Sequence, residues 1–258
     1  MKEDCDISQG EGLYGGRLCC FNSLHSTNQW AMDNINSLEH GDVVWALRQT
    51  AGKGRFDRTW IAPEDRCLTL SVILKPSQSQ DVLITTISQI TALAVAETLE
   101  QHSISTMVKW PNDVMAGGRK IAGILAQRDD ETEKIVLGIG LNVNMNENDF
   151  KVTGMIQPAT SMKMETHRDY DVRQVLKTLL VELEKTISLV DKQPDSFPVE
   201  AWQKRDFLKD KRISVQTADS VISGDYSCMD NSGRLRLIDS SGQEHLLWSG
   251  DVSVSKHS

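Results

Sequence analysis

Cysteine is sparse in this sequence, and nothing in its placement suggests a bond or a metal. The five residues Cys5, Cys19, Cys20, Cys67 and Cys228 contain no C-x-x-C pair and are odd in number. Neither a disulfide framework nor a thiolate zinc site is indicated, and a reducing cytoplasm is the expected setting. The six histidines form no H-x-x-x-H pair. His25 adjoins Ser26, but no acidic partner in a triad-like motif accompanies them. No apolar run approaches the roughly 20 residues that a bilayer crossing needs, and the opening MKEDCDISQGEG lacks the apolar core of an export signal. Positive charge is also short. A net charge of −8 works against duplex DNA, whose affinity is built from Lys and Arg on phosphates. The expectation is a soluble, non-exported protein with neither DNA nor a membrane as partner. Internal repeats and low-complexity tracts are absent.

A chain of 258 residues has room for one large domain and a small accessory one. Residues 1–16 are polar and read as a flexible lead-in, too short for a helix-turn-helix. Residues 17–199 alternate short apolar runs with helical stretches. Strands are expected at Arg17–Phe21, Asp42–Leu47, Cys67–Leu74, Met107–Trp110, Lys120–Ala126 and Ile135–Val143. Helices are expected from Thr27 to about Leu38 behind Ser26, from Ile87 to about Gln101, and from Val172 to Val190. The third shows i, i+3, i+4, i+7 spacing through Val175, Leu176, Leu179, Leu180, Leu183 and Ile187 and is core scaffold. Gln193–Pro198 reads as a connector. Residues 200–258 carry short alternating segments (Ile213–Gln216, Val221–Cys228, Leu235–Ile238, Leu246–Trp248) with turns at Asn231–Gly233 and Ser240–Gly242, the pattern of a small β-barrel.

Three segments have compositions that suit chemistry. Gln49–Trp60 is a glycine-spaced basic loop. Gly52 and Gly54 allow close backbone approach, and Lys53, Arg55 and Arg58 supply charge for an anion, although an ordinary solvated hairpin fits equally. Val108-Lys-Trp-Pro-Asn-Asp113 ends an apolar strand on an amide and a carboxylate set beyond a proline, presented for function or simply forming a turn. Val136–Asn144 is a buried strand interrupted by Gly138 and Gly140, which implies either a ligand against the backbone or tight internal packing.

Taken in order, His25-Ser-Thr-Asn28, Gln49–Trp60, Lys109-Trp-Pro-Asn-Asp113, Arg119-Lys-Ile-Ala-Gly-Ile-Leu125 and Gly138-Ile-Gly-Leu-Asn142 closely resemble the motif series of biotin protein ligases. Pro158-Ala-Thr-Ser161 and Trp202-x-x-x-Asp206 resemble that family too, so the likeness runs from about residue 17 to the end. The resemblance implies an α+β fold, a central mixed β-sheet flanked by helices of the class II synthetase kind, followed by a small SH3-like β-barrel. It implies that Ser26, Thr27, Asn28, Gln49, Gly52, Lys53, Arg55, Lys120, Gly138 and Gly140 hold biotin. Arg55, Arg58, Trp60, Asn112, Lys120 and Asn142 would serve ATP and the adenylate, with Lys120, Arg55 and Asp113 as the catalytic set. Departures from the family pattern fall at Lys53, Phe56, Asp57 and Gln127. The repressor role of some relatives is not expected.

The implied reaction joins biotin to ATP as biotinyl-5'-AMP and passes biotin to a lysine of a biotin carboxyl carrier protein. Two anions must meet, so fixed cations such as Lys120, Arg55 and Arg58 are suited to the task, with Mg2+ on the phosphates at a site that no ligand spacing identifies. The acceptor lysine is protonated at neutral pH, and Asp113 would orient or deprotonate it. A lipoate or octanoate ligase and a catalytically weakened biotin-binding regulator are the competing readings. The carrier is the expected partner, and a homodimer is left open.

Overall fold

The computed structural model describes residues 5–56, 58–75, 83–152, 158–192 and 197–255. Asp57 and most of the expected connector at 193–198 lie outside them. The chain begins with β1 (Cys5–Ser8), β2 (Leu18–Leu24), α1 (Thr27–Asp33), β3 (Val43–Lys53), β4 (Thr59–Ala62) and β5 (Cys67–Leu74). It continues through α2 (Leu83–Gln101), β6 (Thr106–Lys109), β7 (Asp113–Ala116), β8 (Arg119–Arg128) and β9 (Ile135–Asn142). The short helices α3 (Glu147–Val152) and α4 (Met162–Thr166) lead to α5 (Val172–Lys192) and α6 (Val199–Gln203). Five strands close the chain: β10 (Arg212–Gln216), β11 (Val221–Met229), β12 (Leu235–Asp239), β13 (Glu244–Leu247) and β14 (Asp251–Val254).

Nine strands form one mixed sheet in the order β1-β2-β3-β5-β9-β8-β7-β6, with β4 paired to β3. Only β2 and β3 run parallel among its described pairs. All eight residues of β5 and of β9 are buried, as expected of central strands covered on both faces. Alternation along β3 divides the core. Val43 and Trp45 join the cluster under α2 and α5, whereas Val44 and Ala46 join the one under α1. On β9, Leu137, Ile139 and Leu141 face α2 and α5. Gly138 and Gly140 alternate with them and therefore face the α1 side. The second sheet, β13-β12-β11-β10-β14, is antiparallel throughout and fits an SH3-like domain. It is joined to the first where Val108 N–H donates to Arg205 O and Phe207 N–H to Val108 O, beside the buried Asp206.

Several expectations need correction. Residues 5–16 are structured: β1 pairs antiparallel with β2, and Leu13 is fully buried. The first helix stops at Asp33, with a separate 3-10 turn at Ile35–Ser37. Asn34 leaves helical geometry there, and its side chain caps Trp30 O at 2.8 Å. The Gln49–Trp60 loop is largely hairpin, because Gly52 and Lys53 pair with Trp60 and Thr59. Its tip is confined to residues 54–58. The last hairpin strand ends at Leu247, and Trp248 instead packs under the Arg234 guanidinium, 5.4 Å from the ring centre.

The starts of β2 and β3 are tied by Asp42, which is buried. It accepts from Arg17 N at 2.9 Å, from Glu39 N at 2.8 Å and from the Arg17 guanidinium. Burial alone would raise the Asp42 carboxyl, but these donors outweigh it and hold it below the usual carboxylate range. Its stabilisation is therefore present at neutral pH and is lost only as pH falls through that depressed value. Asp42→Ala should cost about 2–5 kcal/mol in urea unfolding at pH 7, and the gap to the unmodified protein should narrow in strong acid. Equal midpoints at pH 7 would contradict the role.

Candidate active site

The face of the large sheet away from α2 and α5 carries a cleft of about 400 Å3. One end is built by the start of α1. Ser26 caps the helix, its hydroxyl accepting from Gln29 N. Thr27 N donates to Gln49 Oε1 at 2.7 Å, and Ser71 Oγ lies 2.8 and 2.6 Å from Thr27 Oγ1 and Asn28 Oδ1. Asn28 Nδ2 donates to Leu125 O and Gln127 Oε1, both at 3.1 Å. These bonds join α1 to β3, β5 and β8, so a buried amide and two hydroxyls are held in place at the cleft wall.

The floor is glycine backbone covered by two of the chain's own side chains. A Cβ at Gly138 would stand 2.1 Å from Asn28 Oδ1, and one at Gly140 only 2.4 Å from Cε2 of Trp60. At Gly123 a Cβ would meet Lys120 Nζ at 2.9 Å and the Trp60 ring at 3.3 Å. Trp60, on β4, thus lies flat across neighbouring strands β8 and β9. Between the two explanations left open by the sequence, the glycines serve tight packing by the chain's own Asn28 and Trp60 side chains. Gly52 belongs to the same arrangement, since its Cβ would strike Trp60 O at 2.4 Å.

Charge is concentrated along the rim. Lys53, Arg55, Arg58, Lys109 and Lys120 line the cleft together with Asp113 and Asp251. Lys120 Nζ is 2.5 Å from Asp113 Oδ1 and 5.6 Å from the Trp60 ring centre. Arg55 donates to Asn112 Oδ1 at 3.2 Å and to Gly250 O at 3.3 Å, and burial lowers its pKa. Arg58 is paired with Asp251, and Lys53 Nζ donates to Gln29 Oε1 at 2.7 Å. Asn112 is fixed by a 2.6 Å bond from its Nδ2 to Ile124 O. At the hairpin tip Phe56 has left-handed backbone (φ 53), is largely exposed, and has the Arg55 guanidinium 4.9 Å from its ring centre.

A model of the Biotin/lipoate A/B protein ligase family matches residues 19–146. The biotin--[acetyl-CoA-carboxylase] ligase of Mycobacterium tuberculosis is 30% identical over 219 residues, spanning 82% of this chain and 78% of that protein. The chain belongs to the biotin protein ligase family. The bifunctional ligase/repressor BirA of Bacillus subtilis is 29% identical over 252 residues, covering 94% of this chain and 75% of its own length. The biotin protein ligase of Aquifex aeolicus, solved in complex with biotin and ATP, has the same fold. Its TM-score is 0.81 at 23% identity, over 93% of this chain and 99% of that one.

For a biotin protein ligase, most of the residues singled out in the sequence come together. Ser26, Thr27, Asn28, Gln49, Lys53, Arg55, Arg58, Trp60, Asn112, Asp113, Lys120, Gly138 and Gly140 all line the cleft. Two do not. Gly52 packs beneath Trp60, and Asn142 is buried with its Nδ2 on Thr160 O at 3.0 Å, anchoring the segment whose Ala159 bridges to Lys120. The sequence reading missed Lys109, Gly123 and Asp251. The first two lie inside motifs already noted, so adjacency was the available signal. Asp251 arrives from the second sheet, and nothing local marks it.

The floor makes a stability prediction. Gly140→Ala should cost about 1–3 kcal/mol by overpacking against the indole, and most of that cost should vanish in a Trp60→Ala background. Equal costs in both backgrounds, measured by urea denaturation, would show that Trp60 is not what fills the space.

Proposed function

We propose that the chain condenses biotin with ATP to biotinyl-5'-AMP and pyrophosphate, then transfers biotin to a lysine of a biotin carboxyl carrier protein. The observation that carries this reading is Lys120. Its ammonium stands between Trp60 and Asp113, with Arg55 and Arg58 lining the same cleft. A carboxylate and a phosphate brought there meet around fixed positive charge. The α1 end, with Ser26, Thr27, Asn28 and Gln49, offers hydroxyl and amide groups beside Leu125, suited to a ureido ring. Trp60 provides an aromatic face for the adenine, and the Arg55–Arg58 hairpin is the element positioned to cover the adenylate from water.

In the first step a biotin carboxylate oxygen attacks the α-phosphorus as the bond to the β-phosphate oxygen breaks, and pyrophosphate leaves. In the second, the acceptor ammonium gives up a proton to solvent, the amine attacks the anhydride carbonyl carbon, AMP departs with the bonding pair, and the second nitrogen proton is released as the amide forms. Asp113 holds Lys120 by its 2.5 Å contact, so it acts on the first step by orienting that cation and faces the incoming ammonium in the second. No three His, Cys, Asp or Glu side chains among the described residues cluster closely enough to hold a metal. The expected Mg2+ is therefore best accommodated on the nucleotide's own phosphates, the usual mode for that ion, and no step here is assigned to it.

Residues 17–199 and 200–258 are read as the catalytic and accessory units, with Asp251 the accessory unit's contribution to the cleft. No disulfide joins Cys19, Cys20, Cys67 or Cys228. No helix among the described residues is long and apolar enough to cross a membrane. Neither DNA nor a membrane enters the proposal as partner, and a homodimer is compatible with it.

Incubation of a carrier domain with this protein, biotin and ATP should add one biotin mass, and Lys120→Ala should slow adenylate synthesis by about 100-fold or more while biotin binding partly survives. A carrier mass shift given by octanoate or lipoate and not by biotin would overturn the assignment.

A further inference from the structure

Lys109 ends β6 and is the register partner of Asp113 across the Trp110-Pro111-Asn112 turn. Cross-strand partners present their side chains on one face, so Lys109 and Asp113 share one, and Lys120 on β8, partner of Met115, reaches the same face over Gly123 to contact Asp113. Asp113 is committed to Lys120, and Asp251 to Arg58. Arg55 and Lys53 have their own acceptors in Asn112, Gly250 and Gln29. Among the described residues Lys109 alone of the five rim cations makes neither a hydrogen bond nor an ion pair, yet it is only 9% exposed and lines the cleft. Its stem is packed away while its ammonium, left without a partner, opens into the cleft. Its pKa is lowered by burial, with Lys120 and Arg58 adding to the effect against Asp113 and Asp251. A fold that retains such a group at the wall of its active cleft has a use for an anion there.

We propose that Lys109 is the seat of the β- and γ-phosphates and of the pyrophosphate that leaves. This assignment rests on the biotin-adenylating reading above. With the α-phosphate at Lys120, a polyphosphate reaching along the same cleft wall would meet Lys109, whose charged neighbours are Asp113, Asp251, Lys120 and Arg58. As the carboxylate oxygen–phosphorus bond forms, the bond to the β-phosphate oxygen breaks and its electron pair goes to pyrophosphate. The Lys109 ammonium stabilises the charge that grows on that leaving oxygen. Lys120 meets the reacting atoms, and Lys109 meets the departing ones.

The test compares the full chain with Lys109→Met and Lys109→Arg, using inorganic pyrophosphate, AMP, ATP and biotin as calorimetric probes. Lys109→Met should weaken pyrophosphate and ATP by about tenfold or more, leave AMP and biotin within about twofold, and be rescued in part by Lys109→Arg. Its urea midpoint should stay close to that of the unmodified protein, because the Lys109 side chain has no hydrogen bond or ion pair to lose. Unchanged pyrophosphate binding by Lys109→Met, or equal weakening of AMP and biotin, would overturn the assignment, and a lowered urea midpoint would mark the lysine as structural. The two readings fail separately. Loss of carrier biotinylation by the unmodified protein, with pyrophosphate still bound through Lys109, would defeat the reaction and leave the polyphosphate seat standing.

Discussion

Like charges held close together in a partly dry cleft repel strongly unless each has somewhere to send its field. Five cationic side chains gather on one rim here, and the surrounding structure is organised around that cost. Asp113 is placed against Lys120 by the β6–β7 hairpin, whereas Asp251 reaches Arg58 from β14, in a different sheet. Gly250 O accepts from Arg55 at the same point. The accessory sheet is thus part of the electrostatics of the site. Its attachment through residues 205–207 to the edge strand β6 brings its last strand to the cleft rim.

A second constraint is geometric. An indole can lie across β8 and β9 only if the strands beneath it carry no side chains on that face, which accounts for Gly123 and Gly140 opposite one another in the register. Gly138, one step along, admits Asn28 in the same way, and that amide is then locked by Ser71, Leu125 and Gln127. Glycine costs strand stability in general, so its concentration on a single patch of the most buried strands follows from what the opposite surface must hold.

How far the sequence could be read depended on the range of the forces involved. The strand Cys67–Leu74 and the helix from Val172 were legible because a long apolar run and a 3.6-residue stripe encode burial locally. The four-residue strands β1, β4, β7 and β14 were not, since pairing with distant neighbours stabilises them more than their own composition does. The motif residues converge as their order suggested, yet Asn142 turns to Thr160, because an amide in a fully buried strand takes the nearest backbone carbonyl. Lys109 was read as part of an apolar strand and of the Lys109–Asp113 motif, without a role of its own. Its significance depends on which of its neighbours are already paired, and that is a property of three dimensions.

Membership in the biotin protein ligase family makes formation of an acyl-adenylate the central chemical claim, and the cleft described here has to retain as well as make it. The most direct measurement is single-turnover quenching with α-labelled ATP and biotin, no carrier being present. The account predicts a fast phase that forms about one biotinyl-adenylate per chain and a slow decay thereafter, as the proposed shielding of the anhydride from water at Arg55 and Trp60 requires. Steady release of AMP with no fast phase and no protein-bound adenylate would contradict it.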